Sequence, residues 1–204
     1  MERRTFDHGS IAIESRADGG KKIVGYGSVF YNANDPGTEF RLFDDAVERI
    51  APEAFNNALS RPDDVRGLFN HDSGSVLGRT ASGTMRLSSD SKGLRYEIDV
   101  PDTQLGRDLV LSIERGDITG SSFAFSVVSQ RWEKDAQRNL SIRVIRDVTL
   151  YDVGPVTYPA YDSATTGTRS QGDVHEALMA RDVWRAKMAA RERMVRARLV
   201  ALDE

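Results

Sequence analysis

Two adjacent serines, Ser121 and Ser122, follow a glycine in GDITGSSFAFSVV (residues 116–128), and a histidine, His71, stands in RGLFNHDSGSVLGRT (66–80). A hydroxyl becomes a nucleophile when a base within hydrogen-bond reach takes its proton and a third group orients that base. The other two histidines, His8 and His175, lie outside the strand-rich part of the chain. His71 is therefore the candidate for a base that titrates near neutral pH. IRDVTLYDVGPVTYPAY (145–161) offers two carboxylates for the third role, Asp147 and Asp152.

Extended backbone sends successive side chains to opposite faces. On that alternation Ser121, Phe123, Phe125 and Val127 share one side, and Ser122, Ala124, Ser126 and Val128 the other. The first face is bulky and suited to a core. The second leaves room for a substrate chain, and Gly120 permits a sharp entry into the strand. Ser122 is the candidate nucleophile and Ser121 a packing residue. The same alternation groups Val148, Leu150 and Asp152 against Asp147, Thr149 and Tyr151. Asp147 belongs to the more polar face and is preferred as the partner of His71, with Asp152 the alternative. Pattern alone leaves open that both serines are packing residues and both aspartates solvated strand carboxylates.

Other chemistries find little support. The chain has no cysteine, which removes disulfides, thiolate metal sites and a thiol nucleophile together. Three scattered histidines do not make a metal site. SRADGGKKIVGYG (15–27) lacks the spacing of a phosphate-cradling loop and leads into a strand. No cofactor or metal is expected. With 28 basic against 31 acidic residues the net charge is -3, so nucleic acid is not an expected partner. Neither a signal-peptide core nor a stretch of about 20 apolar residues is present, so no membrane is expected and the protein should stay where it is made.

These residues need a strand scaffold, and the chain supplies one. Period-two runs at 11–16, 23–30, 40–43, 94–100, 122–128, 142–145 and 148–153 are separated by Gly, Asp, Asn and Ser clusters, the punctuation of an antiparallel sheet or barrel. Two helices are expected, Pro52 to Leu59 and Thr103 to Arg115, the second capped by Thr103 and stopped by Gly116. The fold class is mainly β with α (α+β). Residues 1–160 read as one domain and 161–173, rich in Thr, Ser and Gly, as a flexible linker. Residues 174–204 read as an amphipathic helix, with seven basic against two acidic residues between Arg181 and Arg198.

VGYGSVFYN, ERIAPEAFNNAL, GLFNHDSGSVLGRT, GLRYEIDVPDTQLGRDLVLSIERGDITGSSFAFSV and VTLYDVGPVTYPAYDSA occur in that order between about Val24 and Ala164. Together they resemble the HK97-type prohead protease family of tailed bacteriophages. The resemblance implies a serine endopeptidase with an assemblin-like fold, a closed antiparallel β-barrel flanked by helices. Its asparagine-histidine motif falls on Asn70-His71 and nominates His71 as general base. Its G-x-S-x-G-F motif falls on Gly120 to Phe125 and nominates Ser122 as nucleophile, with Ala124 where glycine is usual. The family commonly carries acids at both Asp147 and Asp152. The related herpesvirus assemblins have a second histidine at the position of Asp147, which agrees with the face argument. The loop after Gly154 is the implied source of oxyanion donors, although Pro155 has no amide proton. The implied partners are the major capsid protein and scaffold segments, together with further copies of the chain as a homo-oligomer, a dimer by family resemblance. The implied place is the assembling prohead in the host cytoplasm. Two other readings are a catalytically inactive assembly module that docks on capsid protein through the C-terminal helix, and a nucleic-acid packaging factor resting on the basic arm alone.

Overall fold

The computed structural model describes residues 1–6, 11–61 and 64–158. In chain order these form β1 (Glu2–Phe6), β2 (Ala12–Ser15), β3 (Lys21–Val29), β4 (Phe40–Phe43), β5 (Ala46–Ile50), α1 (Asn56–Ser60), β6 (Arg66–Leu68), β7 (Val76–Arg79), β8 (Met85–Ser89), β9 (Gly93–Asp99), α2 (Gln104–Glu114), β10 (Gly120–Asp135) and β11 (Leu140–Val156). Linker 161–173 and helix 174–204 lie outside the described residues.

The strands make two sheets. One is antiparallel, in the order β2-β3-β9-β8. The other has seven strands in the order β1-β10-β11-β5-β4, with β6 added to β11 and β7 to β6. The expected closed antiparallel barrel is not what forms: no sheet closes among the described residues, and the larger one is mixed. β11 runs parallel to β5 over Ser141–Ile145 and parallel to β6 at Asp152 and Val153. The reason is the route between them. The chain follows one edge of β11 in a single direction, pairing as β5 with the first part of that strand, looping out through α1 and pairing again as β6 with its last part, so both segments are parallel to it. Period-two alternation is silent on the direction of a neighbouring strand.

One core joins both sheets, with Ile23, Leu94, Tyr96 and Ile98 from the smaller and Phe123, Phe125, Ile145, Val148, Leu150 and Val153 from the larger. Phe123 and Phe125 stack with centroids 4.6 Å apart, and Phe55 meets Phe123 edge-on at 5.7 Å. Fully burying a phenylalanine contributes about 1.5–3 kcal/mol. Turning β10 over would forfeit two such burials, so Ser122 is committed to the other face. At the opposite end of β11, Arg143 and Glu48, 2% and 1% exposed, pair inside the protein.

Helix α2 follows its sequence signals. The Thr103 hydroxyl accepts from the Gly106 amide at 3.1 Å, and Gly116 ends the helix at φ +80°. Helix α1 is shorter than the expected Pro52 to Leu59. Residues 51–56 close instead through turns, Ala54 N to Ala51 O at 3.0 Å and Asn56 N to Glu53 O at 3.1 Å.

Candidate active site

Strand β6 ends at Leu68 and delivers the chain into a tight turn, with Asp72 N donating to Phe69 O at 3.1 Å and Ser75 N to Asp72 O at 2.9 Å. The Gly74 amide and Ser75 hydroxyl hold the Asp72 carboxyl below its ordinary range. Asn70 and His71 both adopt left-handed backbone, φ +55° and +56°. That conformation disfavours side-chain-bearing residues by about 1–2 kcal/mol each, asparagine least. Asn70 offsets the strain by strapping the turn to the end of β11. Its amide donates to Pro155 O at 3.0 Å, its Oδ1 accepts from Thr157 N at 2.8 Å, and its Nδ2 donates to Thr157 Oγ1 at 3.0 Å. The strands approach closely here: a Cβ on Gly154 would lie 2.1 Å from Leu68 O. His71 is thereby hung over the face of β11.

Ser122 lies opposite Gly154 and Ala124 opposite Asp152. The next pair is Phe125 with Leu150, so Tyr151 is an extra residue, a β-bulge. The bulge inverts the parity of β11. Val148 and Leu150 point into the core, and so does Val153, which leaves Asp152 on the same face as Ser122 and Ala124. A bulky side chain at 124 would contest the space between the two reactive groups.

Three side chains meet there. His71 Nδ1 is hydrogen-bonded to Asp152 Oδ1, and His71 Nε2 lies 2.6 Å from Ser122 Oγ. Asp152 is 6% exposed and Ser122 wholly buried. With a carboxylate at Nδ1, the neutral imidazole carries its proton on that nitrogen and presents Nε2 as the acceptor for the serine hydroxyl. Asp147, the preferred orienter, is not part of this chain of contacts. It stands opposite Ser129, five residues or about 16 Å back along the strand. Its Oδ2 accepts from Asn57 Nδ2 at 2.9 Å. The alternative, Asp152, is the residue that reaches His71, and the bulge is the reason.

The two serines part as their faces require. Ser121 is buried against the core, with its Oγ 2.9 Å from the Tyr96 hydroxyl. Burial pushes the Tyr96 phenol up, only partly opposed by that hydrogen bond, and keeps it neutral. Two features escaped the sequence reading. Asn70 as a strap was signalled only by the tolerance of asparagine for left-handed backbone. The other is a backbone atom: Ser122 Oγ donates to Arg4 O at 2.9 Å, because β1 pairs with β10 and sets Thr5 opposite Ser122.

The family model for caudovirus prohead serine proteases matches residues 10–177. No curated protein matches the sequence significantly. Among solved structures, that of the bacteriophage T4 capsid assembly protease is similar at 12% identity and a TM-score of 0.44, over 78% of this chain and 100% of that one. The family match takes in every strand from β2 to β11, and the chain belongs to the caudovirus prohead serine protease family.

Proposed function

We propose that the chain is a prohead maturation endopeptidase that cuts scaffold and major capsid protein precursors, and its own C-terminal region, inside the assembling capsid in the host cell. Ser122 is the nucleophile, His71 the general base and Asp152 the carboxylate that orients it. The observation that carries this reading is the alignment of Asp152, His71 and Ser122, each within hydrogen-bond distance of the next.

In the first step Ser122 Oγ attacks the carbonyl carbon of the target peptide while His71 Nε2 takes the hydroxyl proton. Collapse of the tetrahedral adduct breaks the carbon–nitrogen bond, and the same proton passes from Nε2 to the departing amine. Water, deprotonated by His71, then releases the acyl group from Ser122. Asp152 fixes the ring through Nδ1 and stabilises the imidazolium that forms. The reading is tested by co-expressing the Ser122→Ala chain with the neighbouring capsid precursor and weighing the products. Loss of processing is expected, and processing at the wild-type rate would exclude Ser122.

A further inference from the structure

Ser122 is wholly buried, which is an odd condition for a nucleophile that must meet a polypeptide. Beside it lies β1, the edge strand of the larger sheet, paired antiparallel to β10 from Glu2 opposite Phe125 to Phe6 opposite Ser121. An extended chain beside a strand edge is also how proteins commonly hold peptides, with main-chain bonds for affinity and side-chain pockets for selectivity. The peptide carbonyl that β1 presents to Ser122 Oγ is that of Arg4. One hydroxyl proton cannot serve both Nε2 and this oxygen, so donation to Arg4 withholds it from the base. The family match begins at residue 10 and does not include β1.

The Arg4 side chain fills a built receptor. Its Nε donates to Glu48 Oε1 at 2.6 Å and its Nη2 to Glu48 Oε2 at 3.1 Å, and Glu48 is almost wholly buried. The guanidinium carbon lies 4.8 Å from the Phe40 ring centroid and 5.6 Å from that of Phe125. A buried carboxylate between two aromatic faces suits a cation. Arg143 Nη1 also holds Glu48, at 2.8 Å, so the carboxylate stays paired if Arg4 leaves.

Resting on the catalytic reading above, we propose that the outer edge of β10 from Gly120 to Phe125 is the substrate lane and that β1 occupies it in the resting chain. The Glu48–Phe40–Phe125 cradle is then the subsite for a basic residue immediately before the bond that is cut, because the residue whose side chain fills it is the one whose carbonyl faces Ser122. A substrate segment with Arg or Lys at that place displaces β1 and takes over its pairing.

The test uses the full chain and a fluorophosphonate, which bonds phosphorus to Ser122 Oγ with loss of fluoride and is read by intact mass. Arg4→Ala should label at least tenfold faster than wild type, since a charge-assisted hydrogen bond in the latch is lost. Glu2→Gln, at a side chain that is 28% exposed and so sparing of the fold, should label several-fold faster. Unchanged or slower labelling in both would make β1 a merely structural strand and overturn the proposal. A second arm needs no activity. In the Ser122→Ala, Arg4→Ala chain, a fluorescent peptide MERRTFDHG should bind at least tenfold more tightly than the same peptide with alanine at its fourth position. Equal binding, or none, overturns the cradle. Should Ser122 stay unlabelled in every variant while that peptide preference holds, the catalytic reading fails and the lane stands.

Discussion

Two buried polar clusters sit toward opposite ends of β11, and they are built on opposite plans. In the first, Glu2 and Glu48 lie between the guanidiniums of Arg4 and Arg143, with contacts of 2.6–3.1 Å. Arg143 Nε is further engaged by Gln130 at 2.6 Å. Every carboxylate oxygen there has a cation, charges cancel, and no proton has anywhere to go. In the second, Asp152, His71 and Ser122 share hydrogen bonds in which one imidazole nitrogen is an open acceptor. Saturation makes the first cluster a tie between strands; an unfilled acceptor makes the second a place where a proton moves. Burial and polarity are common to both, so neither property marks a reactive site by itself.

The sharpest way to break this contrast is at the nucleophile. Ser122→Ala should abolish precursor cleavage, a loss of at least about 1,000-fold, with the thermal midpoint nearly unchanged, as followed by product mass and melting. Next in size is the carboxylate pair. Asp152→Asn leaves shape intact but upsets the imidazole tautomer and should lower kcat by roughly 1,000- to 10,000-fold, whereas Asp147→Asn should stay within a few-fold. Equal losses would return Asp147 to the site. In the saturated cluster, Arg143→Ala leaves buried carboxylates short of a partner and should destabilise the fold by about 3–5 kcal/mol in urea titration, an effect on stability that no triad substitution matches. Asn70→Ala removes the strap on the histidine turn. About tenfold in kcat with little change in KM is expected, since only the placing of the base is loosened.

The smallest effect concerns acid. Burial alone would raise the Glu2 carboxyl, but hydrogen bonds and charge from Arg143 and Arg4 prevail and hold it below its ordinary 4.5. A depressed carboxylate contributes stability that is complete above the unfolded value and lost as pH falls through the folded one. Amide exchange in β1, corrected for intrinsic rates, should therefore accelerate as pH drops below about 4.5 and be flat above it. In Glu2→Gln that dependence should vanish.

Much of the site was legible in residue order. The parity of β10 was readable because Phe123 and Phe125 can only be core, and helix α2 because Thr103 and Gly116 mark its ends. His71 and Ser122 were nominated by motif and face, and they do lie within hydrogen-bond distance. The choice of carboxylate was not legible, since alternation counts residues and cannot see that Tyr151 is an extra one with no partner on β10. Nor were the neighbours of β11 and β10: parallel pairing with β5 and β6, and the arrival of β1 from more than a hundred positions away, are non-local events that leave no local periodicity.

The bulge at Tyr151 carries a consequence for how such a site tolerates change. Tyr151 is 42% exposed and its hydroxyl donates to Ser126 Oγ at 3.1 Å, so many side chains could stand there. The pairing does not need the residue itself either: without Tyr151, Leu150, Asp152 and Val153 would alternate strictly against the same partners, Phe125, Ala124 and Phe123. What the site needs is that Tyr151, while present, stays outside the ladder, because regular pairing of all four residues would swing Asp152 into the core and Val153 beneath the imidazole. The carboxylate is thus specified by its partner on the neighbouring strand rather than by its count along its own, and the site is exposed to a slip of pairing more than to a change of letter at Tyr151.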